Sequence, residues 1–118
     1  MAETVLIVDD HPGFRAAARR LLEADSYDVV GEAPDGETAL TASRSLAPDV
    51  VLLDIQLPGI DGFEVAARLA EDDDPPAVVL VSTLDSGDVQ GRLDPAHVRG
   101  FLPKDRLSGP ALEELLAG

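Results

Sequence analysis

The sequence predicts an α/β domain built on a parallel sheet, and three observations lead there. Aliphatic runs of strand length alternate along the chain with amphipathic runs of about 8–12 residues, the pattern of βαβ units. Two of the aliphatic runs, VVLL at 50–53 and AVVLV at 77–81, are continuous rather than alternating, as expected of strands covered by helices on both faces. No repeat, linker or low-complexity stretch interrupts the 118 residues, a length that suits one domain.

The elements follow in order. TVLIV (4–8) is a short strand. Pro12 to Glu23 is a helix, with Phe14, Ala17, Ala18, Leu21 and Leu22 at helical spacing and Pro12 in the first turn, where its missing N–H costs nothing. DVVGEA (28–33) is a second strand. Asp35-Gly36 turns the chain into a helix over 37–47, which Pro48 stops. The third strand, 50–55, leads through Pro58-Gly59 to a helix from Gly62 to Glu71. Pro75-Pro76 break the chain before a fourth strand, 77–82. GFLP (100–103) is a fifth strand, and Pro110 to Ala117 a last helix. Residues 84–99 carry Gly87, Gly91 and Pro95, poor material for a helix, and their structure is left open.

Composition narrows the function. Apolar residues make up 45% of the chain but aromatics only 3%, so the core is Val, Leu, Ile and Ala. The absence of cysteine excludes disulfides and thiolate metal sites. No apolar run approaches the roughly 18–20 residues that span a bilayer, and Met1 leads straight into a strand with no signal-peptide pattern, so a cytoplasmic, non-membrane protein is expected. A formal net charge of −14 repels phosphate backbones, so this domain is not expected to bind nucleic acid directly. The cations are eight arginines and one lysine, Lys104. A compact ammonium at one position only points to a site that a guanidinium does not serve.

In a doubly wound sheet, functional groups gather at the carboxyl ends of the strands. Asp9-Asp10 follow the first strand, Asp54 ends the third, Ser82-Thr83 end the fourth, and Lys104 follows the fifth. Three converging carboxylates repel one another by roughly 3 kcal/mol per pair at about 5 Å. A divalent cation relieves this, and hard oxygens without nearby His or Cys favour Mg²⁺, with Mn²⁺ as an alternative. A carboxylate can also act as a nucleophile on phosphorus, with the metal, Lys104 and the hydroxyl of Ser82 or Thr83 neutralising the phosphoryl oxygens. Each group has a plainer role as well: Asp10 as N-cap of the first helix, Asp54 as a turn residue, Ser82 as a strand end. His11 reads as a surface residue of the first helical turn and His97 as a loop residue, neither with partners at ligand spacing.

These stretches carry a resemblance. VLIVDDHPGFR (5–15), VVLLDIQLPGIDGFEV (50–65), VLVST (79–83) and GFLPKD (100–105), in this order, resemble the receiver domain of two-component response regulators over essentially the whole chain. The DDHPxxR stretch resembles receivers of the LuxR/NarL type most. The resemblance implies a flavodoxin-like (CheY-like) five-stranded parallel sheet of order 2-1-3-4-5, with helices on both faces. It implies that Asp54 accepts a phosphoryl group from a sensor histidine kinase and that the protein is not an enzyme in the usual sense, though it assists its own phosphorylation and dephosphorylation. Asp10, the Asp54 carboxylate and the backbone carbonyl of Gln56 would bind Mg²⁺, and Asp9 a water on the metal. Lys104, Ser82 and Thr83 would meet the phosphate. Ser82 and Phe101 would form a switch that reshapes the face made by residues 84–99, the fifth strand and the last helix. A phosphorylation-dependent homodimer and an output in transcription follow from the same likeness. It also implies that the whole chain, 1–118, is the receiver, either belonging to a longer regulator whose C-terminal DNA-binding domain is absent here, the favoured reading, or acting alone through partners.

Three departures stand out. The helix expected between the fourth and fifth strands has the unfavourable composition noted above. Val98-Arg99 precede Gly100 where the family has a Gly-Ala pair. Pro103 precedes Lys104, and Asp105 follows it where proline is common, so no cis bond is expected there. Two rival functions remain in view. A receiver that no longer takes phosphate would act as a protein-binding module. A phosphatase of the haloacid-dehalogenase type would need a second acid two positions after Asp54, where Gln56 stands. A dinucleotide site would need a glycine-rich turn that DDHPG does not supply.

Overall fold

The computed structural model describes residues 2–83, 89 and 91–117. Its strands are β1 (Thr4–Val8), β2 (Asp28–Ala33), β3 (Val50–Asp54), β4 (Ala77–Ser82) and β5 (Gly100–Pro103). The helices are α1 (Pro12–Ala24), α2 (Gly36–Leu46), α3 (Gly62–Ala70) and, at the C-terminal end, α4 (Gly109–Ala117). A single turn of 3₁₀ helix, Lys104–Arg106, follows β5. All the strand pairs are parallel, and the sheet order is β2-β1-β3-β4-β5.

Each strand divides its side chains between the two faces by the two-residue period. Leu6, Val8, Val51, Leu53, Val78 and Leu80 pack with Ala39 and Leu40 of α2 and Val65, Ala66 and Leu69 of α3. Val5, Ile7, Val50, Leu52, Val79 and Val81 pack with Ala18 and Leu22 of α1 and Leu112 of α4. The continuous aliphatic runs therefore serve two layers at once.

Helix starts follow local chemistry. The side chain of Asp35 accepts from the Thr38 N–H at 2.8 Å and caps α2. Asp61 does the same for α3 through the Glu64 N–H at 2.9 Å. α1 begins at His11 without a side-chain cap, so the capping role open to Asp10 is not taken up.

Residues 91–99 form a string of turns rather than a helix. The Asp94 carbonyl accepts from the N–H groups of His97 and Val98, and the Asp94 carboxylate from Ala96. This is how a stretch with Gly91 and Pro95 satisfies its backbone without helical pairing. Val89 is helical and buried, while 84–88 and 90, where the expected fourth helix would begin, lie outside the described residues. Pro103 is the last residue of β5, an edge strand among the described residues, a position that tolerates a missing N–H. The bond between Lys104 and Asp105 is trans.

Candidate functional site

Strand register builds the site. Val8 pairs with Leu53, so Asp9 and Asp54 leave neighbouring strands side by side. Asp54 pairs with Val81, which places Ser82 one step further along β4. Ser82 pairs with Pro103, and Lys104 follows. Asp9, Asp54, Ser82 and Lys104 thus line one carboxyl edge of the sheet, around the point where strand order reverses between β1 and β3.

The acids are buried in an unusual way. Asp9 is 0% and Asp54 2% exposed. Lys104 reaches both: its Nζ lies 2.6 Å from Asp9 Oδ2 and 3.4 Å from Asp54 Oδ2. The closer contact is an ion pair without hydrogen-bond alignment, and Asp9 Oδ2 is left as a buried oxygen with no aligned donor. Asp9 Oδ1 accepts from the His11 N–H at 2.8 Å, and Asp54 Oδ1 from the Gln56 N–H at 3.3 Å. Burial pushes the Asp54 pKa above its ordinary value, and the neighbouring Asp9 adds to the rise. Lys104 and the Gln56 N–H act against it.

The remaining expected residues fall as follows. Asp10 is partly exposed, beside His11. Gln56 is exposed in the β3–α3 loop. Ser82 is fully buried at the tip of β4, and Thr83 next to it is exposed. Phe101 is buried among the cluster that contains Leu80, Val89 and Val98. The loop after β3 is held close by Gly62, whose N–H donates to the Ile55 carbonyl at 2.9 Å. A Cβ on Gly62 would lie 2.7 Å from Ile55 Cα and collide with the Asp54 carbonyl oxygen, so only glycine fits here.

Three contributors escaped the sequence reading. His11 is not a bystander: its Nδ1 is 3.0 Å from Asp9 Oδ1 and 3.1 Å from Asp10 Oδ1. That corrects the expectation that neither histidine has partners at ligand spacing. Phe14, readable only as an apolar helix position, places its ring centroid 4.5 Å from Lys104 Nζ, a cation–π contact. Arg15 donates to the Asp9 backbone carbonyl and pairs with Glu32, anchoring the β1–α1 loop to β2. The signal for Arg15 lay in the DDHPxxR stretch itself.

One donor atom each from Asp9, Asp10, His11 and Asp54 lie within 4.8 Å of one another. Together with the buried, undirected Asp9 Oδ2, this oxygen-rich set fits a divalent cation. Among the described residues no helix is long and apolar enough to cross a membrane.

Comparison with known proteins agrees with this geometry. The response regulator receiver domain family matches residues 5–115. The chain is 37% identical over 113 residues to the response regulator GacA of Pseudomonas aeruginosa, covering 95% of this chain and 51% of GacA. It is 41% identical over 102 residues to the transcriptional regulatory protein NarL of Mycobacterium tuberculosis, covering 86% of this chain and 47% of NarL. The chain thus spans about half the length of these relatives. The solved receiver domain of the latter superposes with a TM-score of 0.89 at 36% identity, over 99% of this chain and 98% of that one. With a family match over residues 5–115, a shared receiver fold and relatives of the LuxR/NarL type, the chain belongs to the response regulator receiver domains.

Proposed function

We propose that Asp54 is the phosphoacceptor of this receiver, taking a phosphoryl group from a sensor histidine kinase in a Mg²⁺-dependent reaction. The observation that carries this is the placement of Asp54: a buried carboxylate at the tip of the central strand, between Asp9 and the only lysine of the chain. An Asp54 oxygen attacks phosphorus, the bond from phosphorus to the donor nitrogen breaks, and the nitrogen keeps its electron pair. Asp10, Asp54 and the Gln56 carbonyl would hold the metal, with Asp9 reaching it through water. Bound there, Mg²⁺ would neutralise charge on the phosphoryl oxygens.

Lys104 is already within reach of Asp54 Oδ2 and supplies the second positive charge. Transfer replaces the single charge of the Asp54 carboxylate by the roughly −1.5 to −2 of a phosphoryl group, a net gain of up to about one negative charge in a site that now balances two buried carboxylates against one ammonium. Lys104 and the Ser82 hydroxyl, with Thr83 at the rim, are the groups placed to answer it. Phe101 is buried in the present state, and movement of Ser82 towards the phosphate would open space for it to shift. The face of residues 91–99, β5 and α4 would carry the change outward to an output in transcription.

The decisive experiment is incubation with acetyl phosphate and Mg²⁺ followed by intact-mass measurement. The expected outcome is a gain of one phosphoryl group in the parent and none in Asp54→Asn. No gain, or one that survives the substitution, overturns the reading. We further propose that phosphorylation drives homodimerisation. Light scattering with and without beryllofluoride tests it, and a monomer in both states refutes it.

A further inference from the structure

We propose that Phe14 is a positioning residue for phosphoryl transfer, its ring face holding the Lys104 ammonium beside Asp54. This role rests on the reading of Asp54 as the phosphoacceptor and adds to it the group that aims its cation. Lys104 Nζ stands over the face of the Phe14 ring, 4.5 Å from the centroid. The negative face of an aromatic ring attracts a cation at this separation. Aromatics are only 3% of the chain and Lys104 is its one lysine, so a chance meeting of the two is uncommon.

The ring is held in place without help from Lys104. Phe14 lies in the first turn of α1, and the start of that helix is pinned. Pro12 fixes the backbone there. The His11 N–H donates to Asp9 Oδ1 at 2.8 Å, and Arg15 donates to the Asp9 backbone carbonyl. The ring itself is half-buried and packs against the cluster that contains Ile7, Ala18 and Leu107. It is therefore a fixed platform whatever the ammonium does.

Lys104 is the opposite case, a point charge on a flexible four-carbon stem. Its Nζ is 2.6 Å from Asp9 Oδ2 and 3.4 Å from Asp54 Oδ2, so the closer partner is not the acceptor. Two carboxylates alone leave the ammonium free to swing about the line between them. The ring supplies a third fixed point. Its attraction is spread over a face and not confined to one bond direction, so the ammonium can move from Asp9 towards phosphoryl oxygens on Asp54 and keep it. An ammonium held this way needs less ordering in the transfer step.

The test is the rate of phosphoryl uptake from acetyl phosphate at saturating Mg²⁺, followed by intact mass. In that step an Asp54 oxygen bonds to phosphorus, the bond from phosphorus to the acetyl oxygen breaks, and acetate leaves with the electron pair. The chains compared are the parent, Phe14→Leu, Phe14→Tyr, and three with mono-, di- and trifluorinated phenylalanine at position 14, with circular dichroism to verify folding. Fluorine draws charge off the ring face with little change of shape. Phe14→Leu should be about five-fold slower (about 1 kcal/mol), and Phe14→Tyr should recover most of the rate. The fluorinated series should fall stepwise, with Mg²⁺ affinity by calorimetry within about two-fold of the parent throughout. In a Lys104→Met chain, adding Phe14→Leu should change the rate by less than about two-fold. A rate that stays flat across the fluorinated series, or a Phe14→Leu loss that persists in full in Lys104→Met, overturns the proposal, since the ring would then only fill space. A loss that tracks weaker Mg²⁺ binding also overturns it, since the ring would then act by shaping the acid loop. No phosphoryl gain in the parent refutes the phosphoacceptor reading itself, whereas a parent phosphorylated at a rate indifferent to Phe14 refutes the positioning role alone.

Discussion

Lys104→Met offers a quantitative check on the electrostatics of the site. The substitution keeps length and apolar contacts and removes the charge that stands 2.6 Å from Asp9 and 3.4 Å from Asp54. At an effective dielectric of about 20 the two gross attractions are about 6 and about 5 kcal/mol. The net loss is smaller, because desolvating the ammonium is no longer required and a stranded carboxylate can take up a proton. Protonating an aspartate at pH 7 costs about 4 kcal/mol, from 1.36 kcal/mol per unit over roughly 3 units. That is a ceiling for each carboxylate. The expected destabilisation is therefore about 3 kcal/mol, in line with the roughly 3–5 kcal/mol found when one partner of a buried pair is removed. With a urea slope of about 1–3 kcal/mol per molar, the midpoint should fall by at least about 1 M in EDTA.

Two conditions should close the gap. Mg²⁺ supplies the positive charge that the variant lacks, so the variant should bind it more tightly than the parent; stabilisation is about 2.7 kcal/mol at 100 times the dissociation constant, and at one fixed concentration the variant gains more. Acid should narrow the gap as well. The Asp54 pKa is raised in the folded state, so its contribution to stability is full below the unfolded value and is lost as pH rises through the folded value. Without Lys104, which opposes that rise, the folded value moves higher still and more of the neutral range falls on the losing side. Urea melts at pH 5 and pH 7.5, each with EDTA or Mg²⁺, measure all of this. An unchanged midpoint in EDTA at pH 7.5, or a deficit that grows on acidification, would refute the reasoning.

Two further substitutions probe the surroundings of the site. Gly62→Ala forces a Cβ against the backbone of Asp54 and Ile55, so stability should drop by about 1–3 kcal/mol and acetyl phosphate uptake should slow, read by denaturation and by mass. Phe14→Leu keeps an apolar residue on α1 but removes the ring beneath Lys104. It should cost about 0.5–1 kcal/mol, while Phe14→Tyr should cost less, and equal losses in the two would argue against the cation–π contact.

The bounds of the elements were legible because their causes are local. Val50 to Leu53 and Ala77 to Val81 are apolar without a break, Asp35 and Asp61 cap the helices that follow them, and Pro48 and Pro75-Pro76 end others. The acids and Lys104 were legible as strand-end residues, since alternation of strand and helix sends every strand's carboxyl end to the same edge. Residues 84–99 stayed ambiguous because Gly and Pro disfavour helix without saying which turns replace it. The answer over 91–99 is a set of turn hydrogen bonds centred on Asp94.

The sequence by itself determined a parallel α/β domain with Asp9, Asp10, Asp54, Ser82 and Lys104 at one edge, because periodicity and strand ends are properties of short stretches. Only the tertiary structure decided what those groups touch. Lys104 lies closer to Asp9 than to Asp54, Phe14 carries its ammonium, and His11 turns back onto the carboxylates. These contacts join residues up to 95 positions apart, 9 to 104, or depend on one side-chain torsion after a loop. Neither leaves a periodic trace in the chain, so packing and charge balance settle them once the strands are in register.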